Sequence, residues 1–142
     1  MNHLMRKAGI RWPPDADIDP TMPELQVVGD CVLLKNEFDR NKHIKRVAFP
    51  DLTGYECFIN HMHFPFGGTA QSLSSCLVHA NSIRAALGPL TQNRSFRLIV
   101  GISEEGRSCT IRFHVARPGE AWVSDDLEAY APDAILVEDV LG

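Results

Sequence analysis

The sequence predicts an α+β fold, a mainly antiparallel sheet with helices packed on one face. Three observations carry this. Residues 95–102 and 107–116 alternate apolar and polar side chains with period two, across a Glu104-Glu105-Gly106 turn. Residues 69–87 place Leu73, Cys76, Leu77, Ala80, Ile83 and Leu87 at helical spacing, followed by the stop pair Gly88-Pro89. From residue 55 the elements run β-α-β-β-α-β, the split βαβ order, after an N-terminal β extension.

In chain order, residues 1–24 hold Pro13, Pro14, Pro20 and Pro23 and little periodicity, which predicts an irregular arm that Trp12 and Ile18 could anchor. Residues 25–142 are then one α+β domain. LQVVGDCVLLK, residues 25–35, is β-rich around a Gly-Asp break and fits either one bulged strand or a small hairpin. Residues 36–46 are polar and basic, as a loop or a short turn of helix, and Val47 to Phe49 can form a brief strand before Pro50. Asp51 to Gly54 is turn chemistry. YECFINHMHF, residues 55–64, alternates like a strand, with Tyr55, Cys57, Ile59, His61 and His63 on one face. Thr69 can cap the helix that follows. Ser124 is a good N-cap for a short helix with Asp125 and Asp126 in its first turn, Pro132 ends it, and Ala134 to Val140 has the length of a strand.

Composition bounds the class. The chain has 142 residues, 44% of them hydrophobic and 23% charged, as in ordinary globular domains. At this size about 70% of the unfolded chain's surface can be buried. No stretch has the length and apolarity of a membrane span, and the N-terminus lacks the apolar run of a signal peptide, so a soluble cytoplasmic protein is expected. Cys31, Cys57, Cys76 and Cys109 form no CxxC pair and read as buried thiols of a reducing compartment.

The charge is uneven. Residues 118–142 carry Glu120, Asp125, Asp126, Glu128, Asp133, Glu138 and Asp139 with no Lys or Arg, whereas the whole chain is at −4. Such asymmetry within one domain points to a directed interaction with a cationic partner. Glu120, Asp125, Asp126, Glu128 and Asp133 are the candidate contacts.

The other constellations are weaker. His61 and His63 at i and i+2 on a strand share a face, as some metal sites require, but no spacing selects a third ligand from His114, His79, Glu56 or Cys57. No nucleophile elbow or thiol-protease pattern accompanies the cysteines. Gly67-Gly68-Thr69 precedes a helix without a phosphate-loop pattern and reads as a turn and cap. The basic run Arg40, Lys42, His43, Lys45, Arg46 reads as a solvated loop rather than a nucleic-acid contact. No catalytic residue and no cofactor is expected.

One resemblance adds to this. The hairpin with its acidic turn (Ser103 to Arg107), R-P-G-E-x-W (Arg117 to Trp122), D-D-L-E-x-Y (Asp125 to Tyr130) and A-I-L-V-E-D (Ala134 to Asp139) together resemble the C-terminal part of immunity proteins of bacterial contact-dependent growth inhibition and related polymorphic toxin systems. The resemblance covers about the last 50 residues. It implies a cytoplasmic non-enzyme that binds and neutralises the cytotoxic C-terminal domain, often a nuclease, of a cognate toxin, with no direct nucleic-acid contact of its own. The alternatives are a small metal-dependent enzyme using His61 and His63, and an adaptor for another cytosolic protein.

Overall fold

The computed structural model describes Met5, Trp12 and residues 22–65, 67–103, 108–123 and 134–142. The expected short helix after Ser124, the Glu104-Glu105-Gly106 turn and Ile18 lie outside these residues. The fold class is the one predicted: a four-stranded antiparallel sheet and a two-stranded one, with helices against them.

Residues 25–35 resolve into the hairpin of the two readings above. Strand β1 (Leu25–Val28) pairs antiparallel with β2 (Cys31–Leu34) through a Gly29-Asp30 loop. Gly29 has φ +60, which a two-residue hairpin loop of this hand needs at its first position. Helix α1 (Lys35–Arg40) follows directly. In and just after it, Lys35–Asp39 at 2.7 Å, Arg40–Glu37 at 3.1 Å and Lys42–Asp39 at 3.6 Å form ion pairs, so Arg40 and Lys42 of the basic run are met locally.

Two local expectations are corrected. Residues Arg46–Ala48 form a 3-10 turn, not a brief strand. Residues 55–59 are not strand: they belong to helix α2 (Leu52–Ile59), and only His61–Pro65 form the strand, β3. Asp51 is the cap that starts α2, its Oδ1 accepting from Gly54 N at 2.7 Å. Gly54 fits where a Cβ would meet that same oxygen at 3.2 Å. Thr53, Gly54, Tyr55, Glu56, Cys57 and Ile59 are all buried, so α2 has no solvated stripe and leaves no helical period in the sequence.

Helix α3 (Ala70–Leu87) is capped as expected, with a reciprocal Thr69–Ser72 box, and buries Leu73, Cys76, Leu77, Ala80, Ile83 and Leu87. Each of its buried Leu and Ile side chains contributes roughly 1.5–3 kcal/mol. It connects β3 to β4 (Phe96–Ile102), and β5 (Ser108–Val115) inserts between these two, giving the split βαβ. Strand β6 (Ala134–Val140) adds to the free side of β4, so the order is β3-β5-β4-β6. The main core is the α3-facing side of this sheet: Phe96, Leu98, Val100, Ile102, Cys109, Ile111, Phe113 and Val115, with Val32 and Leu34 from β2. A second core on the other side of β2 holds Cys31, Leu33, Tyr55 and Ile59. Trp12 packs on the main core and donates from Nε1 to Glu138 Oε2 at 3.2 Å.

The thiol expectation holds for Cys31 and Cys57, which are buried and free. It fails for Cys76 and Cys109, which form a disulfide between α3 and β5. Both residues sit on inward faces of their elements, which brings two buried sulfurs together across the core.

Candidate functional site

The two sheets meet without a backbone ladder. Strand β5 runs past β3, whose pairing stops at Arg112, and among the described residues no strand pairs with the backbone of residues 113–115 on that side. Strand β2 likewise pairs only with β1 among the described residues. Glu56 of helix α2 and its C-cap residue Asn60, one turn apart and both fully buried, fill the gap. Glu56 Oε1 accepts from Val32 N at 2.8 Å and Oε2 from Val115 N at 3.0 Å. Asn60 Oδ1 accepts from Leu34 N at 2.8 Å, and Nδ2 donates to Val32 O at 2.8 Å and Phe113 O at 3.1 Å. Backbone groups that would otherwise be buried unpaired are thereby satisfied.

The Glu56 charge is met by Arg117, whose Nη1 donates to Oε2 at 2.7 Å and whose Nη2 donates to Asp30 O at 2.9 Å. Burial works against the Arg117 charge, but the hydrogen bond and attraction to Glu56 outweigh it and hold its pKa above the usual value. The same setting pushes the neighbouring thiols up by burial, Cys57 to about 12, so neither free cysteine is a thiolate nucleophile.

Arg117 also starts a strap over the opposite face of the sheet. Pro118 and Gly119, the latter at φ +76, make a turn with Glu120 N donating to Arg117 O at 3.2 Å, the pattern of a type II turn. Glu120 Oε1 then accepts from Thr53 N at 3.1 Å, tying the strap to the first turn of α2. Trp122 lies over the Arg112 guanidinium, 5.0 Å from ring centroid to Cζ. Each polar or aromatic position of R-P-G-E-x-W thus has a placed partner.

The face under the strap is open beside it. Register puts His61 opposite Arg112 and His63 opposite Thr110 on β3–β5, Ile99 and Gly101 beside them on β4, and Ile135 on β6. A cavity of about 420 Å³ is lined there by Ile99, Gly101, Thr110, Arg112, Trp122 and Ile135, among others. Arg112 makes two long contacts, Nη1 to Cys57 O at 3.5 Å and Nη2 to His61 Nε2 at 3.4 Å, and no carboxylate among the described residues pairs with it. Burial lowers the pKa of both Arg112 and His61, and the Arg112 charge lowers that of His61 further. Trp122 is 44% exposed and Phe58, on the outer side of α2, is 46% exposed.

The expected site residues fare unevenly. His61 and His63 do share a face, with ring centroids 5.8 Å apart. Yet the described residues bring no third ligand to them, and an all-donor guanidinium faces His61 Nε2. Glu120 serves within the fold. Asp125, Asp126, Glu128 and Asp133 lie outside the described residues. Of the other carboxylates in the acidic third, Glu138 is held by Arg84 at 3.3 Å and by Trp12, and Asp139 by Arg97 at 3.0 Å. Arg112 was legible only as a polar-face residue of a strand. Trp122 carried one signal, its place in a motif too polar to bury it.

This geometry defines a class: a small α+β protein with a sealed polar junction inside and an aromatic–arginine pair on an open sheet face. The chain belongs to the PM0498 family, described as the Uncharacterized protein PM0498 family, whose sequence model matches residues 17–141. No curated protein and no solved structure matches it. No helix among the described residues is long and apolar enough to cross a membrane.

Proposed function

We propose that this protein is an immunity protein that binds and neutralises the cytotoxic C-terminal domain, a nuclease, of a cognate contact-dependent growth inhibition toxin. The observation that carries the reading is the acidic third: seven carboxylates and no Lys or Arg from residue 118 onward, in a segment that resembles such immunity proteins. A protein that blocks a nuclease must face a groove built for phosphates, and carboxylates are the complement of that groove. The exposed aromatics Trp122 and Phe58 add side chains of the type that anchor protein interfaces. The protein acts by occupation, without catalysis or cofactor, and in the cytoplasm. The Cys76–Cys109 disulfide weighs against that compartment, because such bridges are rare in reducing cytosol.

The test is protection. The toxin domain encoded beside this gene is expressed in bacterial cells with and without this protein. Restored growth together with co-purification of the two chains is the expected result. Binding to that neighbour without protection, or protection without binding, overturns the reading.

A further inference from the structure

We infer that the open sheet face beside Trp122 is a docking groove for a peptide segment of a protein partner that presents a carboxylate next to an apolar side chain, with Arg112 as the carboxylate's receptor. The inference gives the partner of the reading above a chemistry, and rests on that reading only for the partner's identity.

Four observations meet at one place. Arg112 is partly buried, and among the described residues no carboxylate pairs with it. Its two hydrogen-bond contacts, at 3.5 and 3.4 Å, are at or beyond the long end of the usual range, so its donors are underused. Trp122 lies over the guanidinium, 5.0 Å from ring centroid to Cζ, while the residue stays 44% exposed. Beside it, Ile99, Ile135 and Val123 make an apolar lining, and Gly101 keeps the floor flat, since a Cβ there would meet Thr110 Oγ1 at 3.2 Å. The cavity, about 420 Å³, has room for one or two side chains rather than a domain.

The charge of the site selects the occupant. No carboxylate lines the cavity among the described residues, and Arg112 is its one cation there. A single, partly desolvated guanidinium forks onto one carboxylate in bidentate geometry. A nucleic acid would need several cations along its backbone, and a chain at −4 repels it. The apolar lining then favours a carboxylate flanked by Leu- or Phe-like side chains. Trp and Arg are also the residue types that dominate binding energy at protein interfaces.

Peptide probes test this without the toxin. The capped pentapeptide Gly-Leu-Glu-Leu-Gly and its counterpart Gly-Leu-Gln-Leu-Gly are titrated into the ¹⁵N-labelled full chain. The Trp122 indole N–H signal, assigned by its loss in Trp122→Phe, should shift saturably with the Glu peptide. The Gln peptide should bind about three- to tenfold more weakly, and Arg112→Gln should remove the difference. The Trp12 indole serves as the control for an intact fold. If Arg112→Gln does not fold, the wild-type protein decides: added salt should weaken the Glu peptide and leave the Gln peptide unchanged. Equal binding of the two peptides, no response at Trp122, or displacement of the Glu peptide by a short single-stranded oligonucleotide overturns the inference. These outcomes do not depend on the protection assay, so either idea can fail while the other stands.

Discussion

Glu56 Oε2 lies 2.7 Å from Arg117 Nη1, and this pair closes the junction between the two sheets. The carboxylate is wholly buried and has three donors aimed at it: two backbone N–H groups from different sheets, and the guanidinium. The pair therefore fixes the position of β2 relative to β5, and it sets where the strap begins. Both attachments of the strap, Glu120 on the first turn of α2 and Trp122 on the open face, follow from this one contact.

Glu56→Gln should destabilise the fold by about 3–5 kcal/mol. The amide nitrogen would point at a donor, and Arg117 would lose the charge that compensates its burial. Equilibrium urea unfolding measures the change. A loss below about 1 kcal/mol would mean that water or another group satisfies the junction.

Asn60→Ala removes one acceptor and two donated bonds that join Leu34, Val32 and Phe113. The cost should be roughly 2–4 kcal/mol, because the freed Leu34 N–H and two carbonyls lie in a buried place. Asn60→Asp should cost more, since it sets a carboxylate against two carbonyl oxygens. Ranking the two variants by unfolding midpoint distinguishes lost hydrogen bonds from a mere cavity.

How much of this was legible beforehand follows from how local each signal is. The β4–β5 hairpin and α3 declare themselves through period two and through apolar steps of three and four residues, because each has one buried face and one wet face. Helix α2 does not, because it is buried almost all round. Tyr55, Cys57 and Ile59 therefore mimicked a strand, and Glu56 read only as one of four possible third ligands for His61 and His63, whereas it is a fully buried charge of the fold. The usable signal was Pro50-Asp51 with Glu56 and Asn60 spaced four apart, a cap and a helical pair. The Trp122–Arg112 contact had no such signal. It depends on the strap folding back across the sheet, and no spacing in the sequence encodes that. Of the candidate contacts in the acidic third, Glu120 accepts from Thr53 N within the fold, while Glu138 and Asp139, which counted only toward the charge asymmetry, pair with Arg84 and Arg97.

His114 makes stability depend on pH. It is buried, its Nδ1 lies 2.8 Å from Val115 O, and its Nε2 has no partner among the described residues. Burial lowers its pKa below the ordinary 6.5, and the Arg97 and Arg117 charges add to this, while the Val115 hydrogen bond and Glu56 work the other way. A folded-state pKa below the unfolded one means the unfolded chain binds more protons. The contribution is then fully present above pH 6.5 and is lost as pH falls below it, toward the folded-state value. Unfolding midpoints should fall between pH 7 and pH 5.5, and His114→Phe should flatten that slope. An unchanged slope in the variant would assign the pH dependence to other groups, His61 first.

The Cys76–Cys109 bridge closes a loop of 33 residues between α3 and β5. Loop-closure entropy alone gives such a link roughly 3–4 kcal/mol of stability. Alkylation of the unreduced, denatured protein should therefore label Cys31 and Cys57 only, and prior reduction should expose all four thiols. Reduction should also lower the thermal midpoint. Four labelled thiols in protein trapped directly from cells would place the native pair in its reduced form, as the proposed cytoplasmic role requires.

The acidic third makes a kinetic prediction for the proposed toxin partner. Glu120, Glu138 and Asp139 are engaged within the fold, so charge reversal there would confuse binding with folding. Asp125, Asp126 and Glu128 are the better targets. Changing all three to Lys moves the chain from −4 to +2 and should slow association with a basic nuclease domain at low salt, with a smaller effect on dissociation. Raising ionic strength should bring wild type and variant together, because exposed charges more than about 8–10 Å apart are screened at physiological salt. Stopped-flow association across a salt series reads this out, with circular dichroism confirming equal folding. Equal association rates at every salt concentration would assign these carboxylates to solvation alone and leave Arg112 and Trp122 as the anchor of the interface.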